Sequence, residues 1–189
     1  MKKKYMGKKK HKILLVFLSL GIGVLIYLLF RSRELFYYQF IKFLSLDGII
    51  DNARKVVWTK RKYIPNWIIY SLPDGLWMFS LGVSILYERI YYRELQKVYN
   101  VVYLSFFIFE FIQREYGGHG TVLGTFDESD LLCFTFGYFF ASILGYWNWE
   151  RNYKYEKVML YEDDYTLEKK KTLIIIVVFI IIGFFPVLI

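Results

Sequence analysis

Seven residues carry the chemistry this chain could do: Asp74, Glu110, Gln113, Arg114, His119, Asp127 and Asp130, all in or beside strongly apolar segments. An acidic residue at the centre of a membrane helix costs roughly 2.5–3.5 kcal/mol, so such groups face a bundle interior or a water-filled cavity. Grouped carboxylates can hold a cation or divide acid and base roles between them, and an imidazole nearby can assist. Glu110, Gln113 and Arg114 stand at i, i+3 and i+4, on one helix face, where Arg114 could neutralise Glu110. Asp127 and Asp130 are three apart; Asp127 is equally well placed to cap the next helix through the N–H of Ser129 or Asp130, and the helix dipole favours both acids. Asp74 follows Pro73 and is either a carboxylate inside a continuous span or the cap of a helix beginning at Gly75. Asp127, Asp130 and His119 form a weak, oxygen-rich candidate set for Mg²⁺ or Mn²⁺. No HExxH, paired Asp-x-x-Asp or nucleophile motif accompanies them, so the residues name no cofactor and no catalytic group.

The elements that must position these groups are membrane segments. Apolar residues make up 56% of the 189-residue chain and aromatic residues 22%, more than a soluble domain of this length needs for its core. They fall in blocks that predict spans at 13–30, 65–87, 99–113, 131–148 and 172–189, after a basic N-terminus over 1–12. The expectation is an all-α membrane protein: one polytopic domain over 13–189, a helical bundle of about five transmembrane helices. Residues 35–50 (LFYYQFIKFLSLDGII) are apolar and aromatic but interrupted by Lys42 and Asp47, which predicts an interfacial helix in the first outer loop. The run at 13–30 ends at Arg31-Ser32-Arg33-Glu34 without a small-x-small cleavage signal and reads as an uncleaved anchor. A single cysteine, Cys133, excludes an internal disulfide.

The formal charge of +8 lies in the flanks and loops between spans, which excludes nucleic-acid binding as its explanation and favours a positive-inside bias. With the N-terminus inside, sixteen Lys and Arg fall on the cytoplasmic side and nine on the other, predicting N-in and C-out. Asp74 then lies about 13 Å deep from the outer face at helical rise, and Glu110, Asp127 and Asp130 approach the same half of the membrane. One outward-facing polar pocket follows. Gly117-Gly118-His119-Gly120 reads as a flexible loop, and Gly137, Ala141 and Gly145 as a helix-packing stripe.

In the order Glu110, Gln113, Gly120, Phe126, Asp127, Asp130, Leu131, Gly137 and Gly145, preceded by Leu72-Pro73-Asp74-Gly75-Leu76-Trp77, the chain resembles the VanZ-like family of small bacterial membrane proteins. It departs from that family at Leu123-Gly124-Thr125, where a basic residue is usual, and at Phe134-Thr135-Phe136, where an asparagine is frequent. The resemblance implies a protein of the bacterial cytoplasmic (inner) membrane, associated with the cell envelope, some relatives being linked to glycopeptide resistance. The pocket would take a lipid head group or cell-wall precursor, and the chain's partners would be the lipid bilayer and a protein partner or second copy. The alternative is an intramembrane, metal-dependent hydrolase or transferase acting on a lipid-linked substrate.

Overall fold

The computed structural model describes residues 2–118, 126–153 and 162–184. Among them are eight α-helices, one short 3₁₀ turn and no strand: α1 Lys2–Phe30, α2 Phe36–Phe43, α3 Asp47–Trp58, α4 Asn66–Tyr70, α5 Leu72–Leu86, α6 Tyr92–Tyr116, α7 Glu128–Asn152 and α8 Glu162–Phe184. Three of them are long and apolar enough to cross a membrane: α1 over Lys10–Phe30, α6 and α7. Only 17% of the most apolar window of α1 or α6 is buried, so these helices turn their apolar faces outward, as lipid-facing helices do.

The expected segments differ from the observed helices at several boundaries. The span at 65–87 is not continuous: it breaks at Ser71 into α4 and α5. Pro73, which lacks an N–H, is the second residue of α5, a position where that donor has no intrahelical partner anyway. Asp74 therefore lies within the first turn of α5, and the helix does not begin at Gly75. The interfacial segment at 35–50 is two helices, α2 and α3, separated at Ser45, whose φ of 57° no helix can accommodate. The segment at 99–113 extends at both ends into α6, and the basic N-terminus continues α1 rather than preceding it. Residues 185–189 of the last expected span lie outside the described residues.

α5 is the axis of the bundle. It is apolar all round, and Met78, Leu81, Val83, Ile85 and Leu86 are fully buried. Its closest partner is α7, and glycines make that possible. A Cβ on Gly75 would meet the Cys133 carbonyl oxygen at 2.6 Å, and one on Gly137 would collide with the Gly75 carbonyl. Gly82 faces Ala141 and the Tyr99 ring, and Gly145 faces Leu86 and Tyr92. The Gly137, Ala141 and Gly145 stripe is thus a packing face, and its partner is the Gly75 and Gly82 side of α5.

Chain direction follows from these contacts. α5 and α7 run parallel, since Gly75 meets Cys133 while Leu86 meets Gly145. α1 runs opposite to α5: Lys12 Nζ donates to the Tyr87 carbonyl at 3.0 Å, and Tyr27 lies beside Asp74 at the other end. Midway, Ser19 and Ser80 share a hydrogen bond of 2.7 Å, and Ser80 also donates to the Val16 carbonyl. α8 parallels α1, with Glu168 paired to Arg89 near its start, and Trp77 and Tyr37 donating to the Phe179 and Ile182 carbonyls near its end.

α6 and α7 are joined by a polar ladder. Gln96 Nε2 donates to Asn100 at 2.8 Å and to Ser142 at 3.0 Å, Tyr138 donates to Asn100 at 2.7 Å, and Tyr103 and Thr135 bond at 2.9 Å. The Tyr138 ring stacks between Tyr99 and Tyr103, with centroids 5.2 and 4.3 Å away. α3 closes the end of α1: Arg54 donates to the carbonyls of Leu28 and Arg31, and Trp58 Nε1 to that of Leu29, supplying partners for orphan carbonyls of the last turn.

Overpacking the α5–α7 contact is expected to cost about 1–3 kcal/mol. Gly137→Val should lower the thermal midpoint in detergent. Gly21→Ala, where nothing lies within 4 Å of the added methyl, should leave the midpoint unchanged or raise it.

Candidate functional site

Two parallel helices that touch through glycine bring their N-termini to the same level. Asp74 stands in the first turn of α5 and Asp130 in the first turn of α7, each where the helix dipole favours a carboxylate. Asp127 is the N-cap of α7, its Oδ1 accepting from the Ser129 N–H at 2.8 Å. Glu110, on the antiparallel α6, is 5% exposed and accepts from the Asp127 backbone N–H. The four carboxylates are one another's electrostatic neighbours.

The counter-charge comes from the residue that follows α1. Arg31 faces Asp74 and Asp130, its guanidinium lies over the rings of Tyr27 and Tyr70 at 5.0 and 4.8 Å, and Nη2 donates to the Tyr70 carbonyl at 3.2 Å. Tyr27 donates a long bond of 3.4 Å to Asp74 Oδ1. Ser71, fully buried at the break between α4 and α5, sits beside Asp130.

Two buried atoms at this end, Arg31 Nε and Glu110 Oε2, have no hydrogen-bond partner within the protein, while Ser71 and Asp130 lie against each other. A buried polar group normally has a partner, so a pair of orphans is a place where a further hydrogen-bonding molecule belongs. The pair comprises an N–H donor and a carboxylate acceptor, with Ser71 and Asp130 beside them. Four carboxylates against one facing guanidinium leave an acidic surplus, which suits a ligand bearing an ammonium or several hydroxyl groups.

Asp74, Glu110, Asp127 and Asp130 are therefore brought together as their spacing suggests. Arg114 is not part of the set: it is exposed, lies over the Phe126 ring at 5.8 Å, and makes no ion pair with Glu110 among the described residues. Glu110 is buried, while Arg114, one turn nearer the end of α6, is exposed. Gln113 is half-buried one turn beyond Glu110, and its carbonyl accepts from Gly117 at 2.7 Å to end the helix. His119 lies outside the described residues. Among those described, no group of three His, Cys, Asp or Glu is arranged to hold a metal ion.

Arg31, Tyr27 and Ser71 are the site residues that sequence reasoning missed. Arg31 reads as a flank marking the end of an apolar run. The signal was local: Tyr27 and Arg31 are four apart, on one helix face, spaced for a cation–π contact. Ser71 had no comparable signal.

No protein-family profile, curated protein or solved structure matches the chain.

Two expectations test the site. Asp127→Ala should lower stability by about 0.5–2 kcal/mol through loss of the cap, with Asp127→Asn close to wild type, read by thermal unfolding in detergent. Arg31→Met should destabilise the wild type more than the Asp74→Asn variant, with a coupling of about 0.5–3 kcal/mol in a double-mutant cycle. A coupling of zero would separate the two residues.

Proposed function

We propose that this chain is a VanZ-like integral membrane protein of the bacterial cytoplasmic membrane, with a pocket open to the outside that binds an amine- or hydroxyl-bearing lipid head group or cell-wall precursor. The observation that carries the reading is the cluster of Asp74, Glu110 and Asp130 with Arg31 and Ser71, in which Arg31 Nε and Glu110 Oε2 have no partner within the protein. The alternating directions of α1, α5, α6, α7 and α8 support five crossings, N-terminus inside and C-terminus outside, in line with the distribution of basic residues. α2 and α3 lie on the outer interface, where their exposed Phe40, Phe43, Ile49 and Val56 meet lipid. The role is one in the cell envelope, connected with resistance to glycopeptides.

The orphaned atoms favour binding over chemistry. Carboxylates that accept from an ammonium and a buried serine that pairs with a hydroxyl can retain such a ligand without a metal or a nucleophile.

Two measurements test the reading. In a Cys133→Ser background, a cysteine at position 127 should react with an impermeant maleimide added to intact cells, and one at position 151 should react only after permeabilisation. Expression should raise glycopeptide tolerance in a sensitive host, and Glu110→Gln or Asp74→Asn should abolish the rise at equal protein level. Reversed labelling would overturn the topology, and unaffected tolerance in both variants would overturn the pocket's role.

A further inference from the structure

At the opposite end of the bundle from the carboxylates, α1 and α8 both pack on α5 and leave a cleft of about 620 Å³ between them. Its size is in the range of roughly 300–1,000 Å³ that holds small ligands. Its walls are apolar: Val16 and Phe17 from α1, Ile174 and Val178 from α8, with Ser84 of α5 in the lining. Phe17, Ile174 and Val178 are exposed on the outward side of the bundle, so the cleft lies against the surface that faces lipid.

Its polar end is built. Lys12, Arg89 and the acidic Glu88 line the cleft together. Lys12 spends one N–H on the Tyr87 carbonyl at 3.0 Å, leaving the ammonium two further donors. Arg89 is fixed through Nη1 by its ion pair with Glu168, while its buried Nε has no partner. Glu88 and Glu168 balance these two cations locally. The surroundings are basic, however: Lys171 lies 3.2 Å from Glu168, and Lys10, Lys169 and Lys170 are exposed at the same level. An apolar groove ending in fixed cations, set in a basic rim, has the chemistry of an acyl chain joined to a phosphate.

We propose that the cleft between α1 and α8 binds one anionic phospholipid, its acyl chain along Phe17 and Val178 and its phosphate between Lys12 and Arg89. The site needs only that α1 lies in a bilayer. It is independent of the carboxylate pocket and of what that pocket binds.

The test uses the full chain purified in a zwitterionic detergent, with retained lipid counted by native mass spectrometry and stability followed by thermal unfolding. Three additions are compared: phosphatidylglycerol, phosphatidylcholine and inorganic phosphate. Phosphatidylglycerol is expected to bind one per chain and raise the thermal midpoint, and the other two to do neither. Lys12→Ala should weaken binding about fivefold, the loss of one basic contact, and Lys12→Arg should restore it. Val178→Trp should abolish the one-to-one complex by filling the groove. Its midpoint without lipid, matched to wild type, shows that it folds. Equal retention of phosphatidylcholine, or unchanged binding in both Lys12→Ala and Val178→Trp, would identify ordinary boundary lipid and overturn the proposal. Stabilisation by phosphate alone would reduce the site to an anion contact. A wild-type dimer dispersed by Val178→Trp would give the groove to a second copy. Either result overturns it.

Discussion

The structure depends on one short distance: α5 and α7 touch backbone to backbone. The Gly75 carbonyl occupies the space a side chain on Gly137 would need, and Gly75 itself lies against the Cys133 carbonyl. In hydrocarbon, where lipid is as apolar as leucine, association relies on van der Waals fit, and two glycine-lined helices can approach more closely than any other pair. The contact also sets a direction. Because the helices are parallel and in register at Gly75, their N-termini open at one level, and Asp74 and Asp130 become neighbours without any attraction between them. Packing creates the electrostatic problem that Arg31, Tyr27 and Ser71 then partly answer.

That answer is incomplete, and the incompleteness is informative. A guanidinium held over two tyrosine rings is oriented by its stacking as well as by the acids it faces. One of its nitrogens and a Glu110 carboxylate oxygen have no partner within the protein in a buried setting, where an unpaired group costs about 1–3 kcal/mol. Elsewhere in the bundle several polar side chains are paired, although Arg89 Nε at the opposite end is not. Asn100 accepts from both Gln96 and Tyr138, and Ser19 pairs with Ser80.

Much of this was legible in the sequence where a signal was local. The apolar runs predicted the long helices, the Gly137, Ala141 and Gly145 spacing predicted a packing face, and Asp127 was recognisable as a cap from its position before Ser129. Boundaries were less legible. The break at Ser71 depends on how α4 and α5 dock, and the bend at Ser45 requires a left-handed backbone that serine does not advertise. The counter-charge was legible only as the Tyr27 and Arg31 spacing, with nothing to say which acids it faces. Arg114 is four residues from Glu110, whereas Arg31 is far away in sequence. Only the placement of α1 against α5 decides that the distant arginine faces the acids and the near one does not.

The hydrogen bonds between α6 and α7 have a mechanical consequence. Sliding either helix by one turn would strand Gln96, Asn100, Tyr138 and Ser142 together, and the glycine contacts hold α5 to α7 just as firmly. These three helices form one stiff block. Arg54 and Trp58 bind α3 to the last turn of α1 and make a second. The blocks are joined at mid-height by Ser19 and Ser80. At the carboxylate end α1 also packs on α5, Gly23 lying against Pro73, and a long tyrosine bond and the Arg31 side chain add to that contact. The acids therefore sit on a seam between two separately braced units, α5 with α6 and α7 on one side and α1 with α3 on the other.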